Sequence, residues 1–249
     1  MLTRLTLIAA LLALTACGEP APPPPLPAPP PAPATWFICD ALNRPMVLVF
    51  ERESGQARVA HYSKPDGALV ERTTYQLGAE EGAAGSVYLT LMQNGAEAGA
   101  IRRLNTGMME TPTAAYTTPF TEVRLGEENV QCRWLPRTRV MAITGKRTIV
   151  LHEDGDGDLI YTSYDFAAAA EARPVELAEN ARTSTFSAEV RGGEENVGAD
   201  GESYTFRREA FAYNVTIERD GEGALQVTGA RQPLAAEPFI ALQRGVGAD

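Results

Sequence analysis

The chain has 249 residues, with 22 Lys and Arg against 32 Asp and Glu and a formal net charge of -10. That acidity disfavours nucleic acid, whose phosphates would be repelled, and electrostatic adsorption to anionic lipid. With 44% hydrophobic and 22% charged residues the composition is that of a globular protein, and beyond the N-terminal run no apolar stretch is long enough to cross a bilayer.

Residues 1–16 read as a signal peptide: Arg4 supplies the basic start, and an apolar run from Leu5 to Leu14 follows. A membrane span needs about 20 residues, so this run is a signal h-region. Leu14-Thr15-Ala16-Cys17 resembles the lipobox of bacterial lipoproteins at all four positions. The resemblance implies cleavage before Cys17, diacylation of its sulfur and acylation of the new amino terminus; several acyl chains hold a protein durably where one does not. Gly18, in place of Asp, implies sorting to the outer membrane. An ordinary secretory signal with a coincidental cysteine is the alternative. Cleavage removes only one charge, Arg4, and leaves a mature chain with a net charge of -11. This suits a basic partner, or simply solubility in the envelope.

Residues 17–35 form the lipidated end and a proline-rich linker, with ten prolines between Glu19 and Thr35. Proline lacks the N–H and fixes φ, so polyproline II is expected, a spacer reaching roughly 50 Å at ~3.1 Å per residue. A ligand for a proline-reading domain is the other reading.

Globular sequence starts at Trp36. Residues 37–51 and 140–153 look alike at a shift of 103, which sets Arg44 on Arg147 and Leu48 on Leu151. Gly85–Ile101 matches Gly201–Ile217 without gaps, through Gly, Tyr, Ala and Ile. Two related units are expected, 36–136 and 138–245. Phe211, Tyr213, Val215 and Ile217 alternate with more polar residues, and Met46–Phe50 and Thr148–Leu151 are short apolar runs, so the expected fold is all-β: two tandem antiparallel β-barrels or sandwiches. Helical composition is confined to Phe166–Asn180, interrupted by Pro174, and residues 103–121 read as an inserted loop.

With Cys17 lipidated, Cys39 and Cys132 remain, and an oxidising periplasm is expected to pair them. The second unit has Ala142 and the region of Ile240 and Ala241 at the aligned positions, so both cysteines are absent there together.

Asp154-Gly-Asp156-Gly-Asp158 is the one candidate Ca²⁺ site, but Leu159 stands where an EF-hand loop needs Gly, and Asp-Gly equally favours a hairpin turn. His61 and His152 sit in no nucleophile motif, there is no G-x-S-x-G elbow, and no spacing singles out a carboxylate pair. No cofactor or metal is therefore expected, and a hydrolase has no motif behind it.

The first unit resembles the membrane-bound inhibitors of c-type lysozyme, whose defining stretch reads Ser-Ala-Ser-Gly-Ala-x-Tyr, then an aromatic, Lys-Gly and Glu-Ala. Here it is Gly82-Ala83-Ala84-Gly85-Ser86-Val87-Tyr88, followed by Met92 to Ala98, which includes Gly95, Glu97 and Ala98. The resemblance implies a small β-barrel with a cysteine near each end, where Cys39 and Cys132 fall, and an inhibitory loop at Ala83, Ala84, Gly85, Ser86 and Tyr88. It also departs: both family serines are replaced, by Gly82 and Ala84, and Ala84 has no hydroxyl to offer a lysozyme cleft. The function so implied is an envelope-anchored binding or inhibitory module against lysozyme-like or other basic hydrolases. The alternative is a structural or assembly lipoprotein of the envelope.

Overall fold

The structure, a computed structural model, describes residues 34–167, 187–229 and 233–246. The signal peptide, Cys17 and nearly all of the linker lie outside them, as does the expected helical segment beyond Ala167. Everything described belongs to one compact unit that begins at Pro33.

The architecture is all-β and antiparallel. The first sheet is an eight-stranded meander of β1 (Thr35–Asp40), β2 (Met46–Glu53), β3 (Gln56–Ser63), β4 (Leu69–Ala83), β5 (Ser86–Gln93), β6 (Ala96–Leu104), β7 (Phe120–Leu125) and β8 (Glu128–Gln131). The second sheet is built from β9 (Thr138–Ile143), β10 (Arg147–Glu153), β11 (Leu159–Asp165), β12 (Ala188–Arg191) and β18 (Ala241–Arg244), in the order β12-β11-β10-β9-β18. The third is the meander β13 (Glu194–Val197), β14 (Gly201–Arg208), β15 (Phe211–Glu218), β16 (Gly223–Thr228) and β17 (Pro233–Pro238).

Of the barrels or sandwiches expected, the all-β antiparallel character is present, but the sheets are not closed barrels. In the first, no full ladder joins β1 to β8: they meet through the isolated bridge Ala41–Cys132 and the bonds from Leu42 N to Gln131 O at 2.8 Å and from Arg133 N to Asp40 O at 2.9 Å. A covalent bond holds that seam: Cys39 and Cys132, 93 apart in sequence, form a disulfide. The second half uses a ladder instead, with β18 pairing β9 so that Leu242 lies opposite Ala142. The half without cysteines thus closes the corresponding place with main-chain hydrogen bonds.

Three apolar layers explain the sequence pattern. Phe37, Cys39, Leu48, Phe50, Leu91 and Ile101 fill the first sheet's core, where Phe37 stacks between Phe50 at 4.2 Å and Phe120 at 4.0 Å. Leu151, Tyr161, Tyr204, Phe206, Val215 and Ile217 fill the core shared by the second and third sheets. Between them lies a third layer, in which Ile38, Val47, Val49 and Tyr62 meet Met141, Ile143, Val150, Tyr164 and Phe166. Successive strand residues face opposite sides, so strands buried on both faces read as unbroken apolar runs. This accounts for Val47-Leu48-Val49-Phe50 and Ile149-Val150-Leu151, and the layer seals the two halves together.

Pairing registers correct both gapless alignments. Five residues join β1 to β2 but three join β9 to β10. With Cys39 opposite Leu48 and Ala142 opposite Ile149, holding Cys39 on Ala142 sets Leu48 on Ile149, not on Leu151. Arg44 lies exposed in its turn, whereas Arg147 opens β10 and is half-buried. Likewise Tyr88 faces outward opposite Arg102, while Tyr204 is buried opposite Val215. A one-residue slip moves a strand's residues to the other face, so the matched tyrosines are not equivalent.

Residues 103–121 are also more than a loop. Two short 3-10 turns, Thr106–Met108 and Pro112–Ala114, carry the chain to the second half. There Arg137 N donates to Ala114 O at 2.6 Å, Val246 N donates to Tyr116 O at 2.9 Å, and Tyr116 Oη donates to Glu153 Oε2 at 2.8 Å.

Candidate functional site

The segment that resembles an inhibitory loop forms the tip of the β4–β5 hairpin. Up to Gln76, β4 pairs with β3; from Gln76 onward, with an irregularity between Leu77 and Glu80, β4 pairs with β5. Ala83 pairs with Ser86, leaving Ala84 and Gly85 as the turn. Gly85 has φ +74°, a conformation glycine adopts at no steric cost. Gly85 O accepts from Asn105 N at 3.0 Å, which ties the tip to the start of the following segment. Met108, 69% exposed, lies one 3-10 turn further on.

The hydroxyl chemistry differs from what the resemblance implies. Ala84 presents a methyl group to solvent, and the one serine, Ser86, is buried, with its Oγ accepting from Arg102 Nε at 3.1 Å. What the hairpin does expose is Tyr88, at 38%, and the carboxylates of Glu80 and Glu81. Glu80 is paired at 3.2 Å with Arg103, while Glu81 makes no ion pair among the described residues.

The acidic run at Asp154 is a hairpin turn. Asp154 Oδ1 accepts from Asp156 N and Asp158 N, each at 3.0 Å, and its Oδ2 lies 3.6 Å from Arg191. Those backbone donors, Asp158 first, hold the Asp154 carboxyl below its usual range. Its oxygens thus serve the turn itself. Among the described residues no three His, Cys, Asp or Glu side chains are grouped to hold a metal ion.

His61 Nδ1 lies 3.8 Å from Glu71, and His152 lies beside the Thr162 hydroxyl at 3.4 Å. Burial pushes the His152 imidazole below its ordinary value and favours the neutral ring.

The buried ions were not legible in the sequence. At the junction of the halves, Asp40 is wholly buried, 2.5 Å from Lys64 Nζ and 2.7 Å from Arg133 Nε, and the Arg133 guanidinium lies 3.4 Å over the Tyr164 ring. Burial works to raise the Asp40 carboxyl, but Lys64 and Arg133 outweigh it and hold the group below the usual range. In the second half, Glu237 takes both Nε and Nη2 of Arg147 at 3.2 Å and the Thr144 hydroxyl at 2.9 Å, while Arg147 Nη1 reaches Asp165 at 3.0 Å. Glu153 binds Arg139 at 2.5 Å as well as Tyr116. Each of these carboxylates is thus neutralised by an arginine. Single charged residues at strand ends carry no motif, and only the folded registers bring them together.

No known protein-family model matches the chain, and no curated protein matches it.

Proposed function

We propose that the chain is a lipid-anchored envelope protein whose β-sheet body is a binding module, with a basic hydrolase of the lysozyme kind as its first target class. The β4–β5 hairpin carries this reading: the segment resembling an inhibitor's contact loop lies at an exposed turn flanked by Glu80, Glu81 and Tyr88. Acidic groups around an exposed ring suit a basic surface, and a net charge of -10 steers such an encounter. The resemblance of Leu14–Cys17 to a lipobox supports an anchor at the membrane, where such a hydrolase would act. Ala84 offers no hydroxyl, so contact rests on Tyr88 and the carboxylates rather than on a serine. The carboxylates of Asp40, Glu153 and Glu237 are each engaged by an arginine, which favours binding over acid–base catalysis. Purified protein, titrated against a panel of basic lysozymes, is expected to bind at micromolar concentration or tighter and to release as salt rises; unchanged lysozyme activity at micromolar concentration removes the inhibitory reading.

A second reading, a structural or assembly lipoprotein, draws on Phe211 and Leu234, which are 41% and 55% exposed at one end of the third sheet. Exposed apolar side chains at one end of a sheet, here on β15 and β17 with β16 between them, suit docking on another protein. Pull-down from envelope extracts separates the readings: hydrolases support the first, assembly proteins the second.

A further inference from the structure

We propose that the junction between the two halves binds one small monovalent anion of halide size, held by Arg133 and Gln243. Three observations converge there. The first is charge. Asp40 is the sole carboxylate in ion-pair distance of Lys64 or Arg133 among the described residues, and all three side chains are buried. One acid against two bases leaves one positive charge uncompensated in a dry environment, a costly state without a counter-charge.

The second is an orphaned donor. Arg133 uses Nε on Asp40 and rests its guanidinium on Tyr164, yet its Nη1 is buried without a protein acceptor. Its side chain is 6% exposed, so bulk water does not satisfy it.

The third is space. Arg133 lines a cavity of about 10 Å³ between the first and second sheets, together with Phe37, Thr117, Trp134, Met141 and Gln243. Such a volume holds about one water-sized particle. A particle of that size is smaller than sulfate, phosphate or an organic acid. Gln243 accepts from Ile38 N through Oε1 at 3.1 Å, which fixes its amide and leaves the NH₂ end as a second donor. Arg133 Nη1, unpartnered beside a surplus positive charge, and the amide of Gln243 on the same cavity wall select an anion over a cation or an apolar group. The ion would sit where β1 meets β18, so its binding would stabilise the contact between the halves.

The test uses the full chain in detergent, with Tm measured at equal ionic strength in sodium chloride, sodium bromide and sodium gluconate. The halides are expected to raise Tm by about 2–4 °C, saturably, relative to gluconate. Gln243→Glu supplies a built-in carboxylate in place of the ion; it is expected to hold its Tm in gluconate and to lose the halide response. Bromide-soaked crystals are expected to show an anomalous peak beside Arg133 Nη1, a readout that survives if the variant fails to fold. Equal Tm in all three salts, a halide response retained by Gln243→Glu, or an ordered water only at Arg133 would overturn the proposal.

Discussion

Asp40 shows how much one side chain carries. Removing its charge strands Lys64 and Arg133 in the junction, so Asp40→Asn is expected to cost about 3–5 kcal/mol in chemical denaturation. Because its carboxyl is depressed in the fold, its contribution is present above the unfolded value near 3.9 and is lost as pH falls through the folded one. His152 acts in a higher window. Its folded pKa is also lowered, so the unfolded chain takes up the proton first, and stability declines as pH falls below about 6.5. Urea midpoints measured from pH 8 downward are expected to show that decline, and His152→Gln is expected to flatten it while leaving the lower, carboxylate-driven loss in place.

At the scale of the strand, alternation and apolar runs made the β fold readable from sequence alone. Phe211, Tyr213, Val215 and Ile217 do lie along one strand, β15. The registers were not readable. The single-residue offset between Tyr88 and Tyr204, and the shorter β9–β10 connection, are set by turn lengths and by which face is buried, and identity matching ignores both. The cysteine pair was legible because two cysteines remain when Cys17 is assigned to the lipobox-like stretch, and its closing role is visible only where Ala41 bridges Cys132. Replacing both cysteines by alanine is expected to cost about 2–5 kcal/mol, read as a lower denaturation midpoint, with the ladder between β18 and β9 unaffected. The stretch resembling an inhibitor's loop was legible as a loop, but the inward placement of Ser86 against Arg102 depends on strand pairing that its motif does not encode.

Across the whole molecule, the shared layer makes the halves interdependent. Val49 and Ile143 are buried in that layer with little exposure, so Ile143→Asp places an unpaired charge between the sheets. Thermal unfolding followed at probes in both halves is expected to give one coincident transition in the native chain, and Ile143→Asp is expected to lower it for both probes together. A body braced in this way holds the β4–β5 hairpin on a rigid sheet, the arrangement a recognition loop needs.

The most direct measurement is the affinity of the purified protein for basic lysozymes at low and physiological salt, alongside Tyr88→Ala and the double change Glu80→Gln, Glu81→Gln. The account predicts binding that weakens with salt, falls at least tenfold with Tyr88→Ala and loses most of its salt dependence when the two carboxylates are neutralised. Absence of binding, or binding indifferent to all three substitutions, would contradict the assignment of the β4–β5 hairpin as the recognition surface.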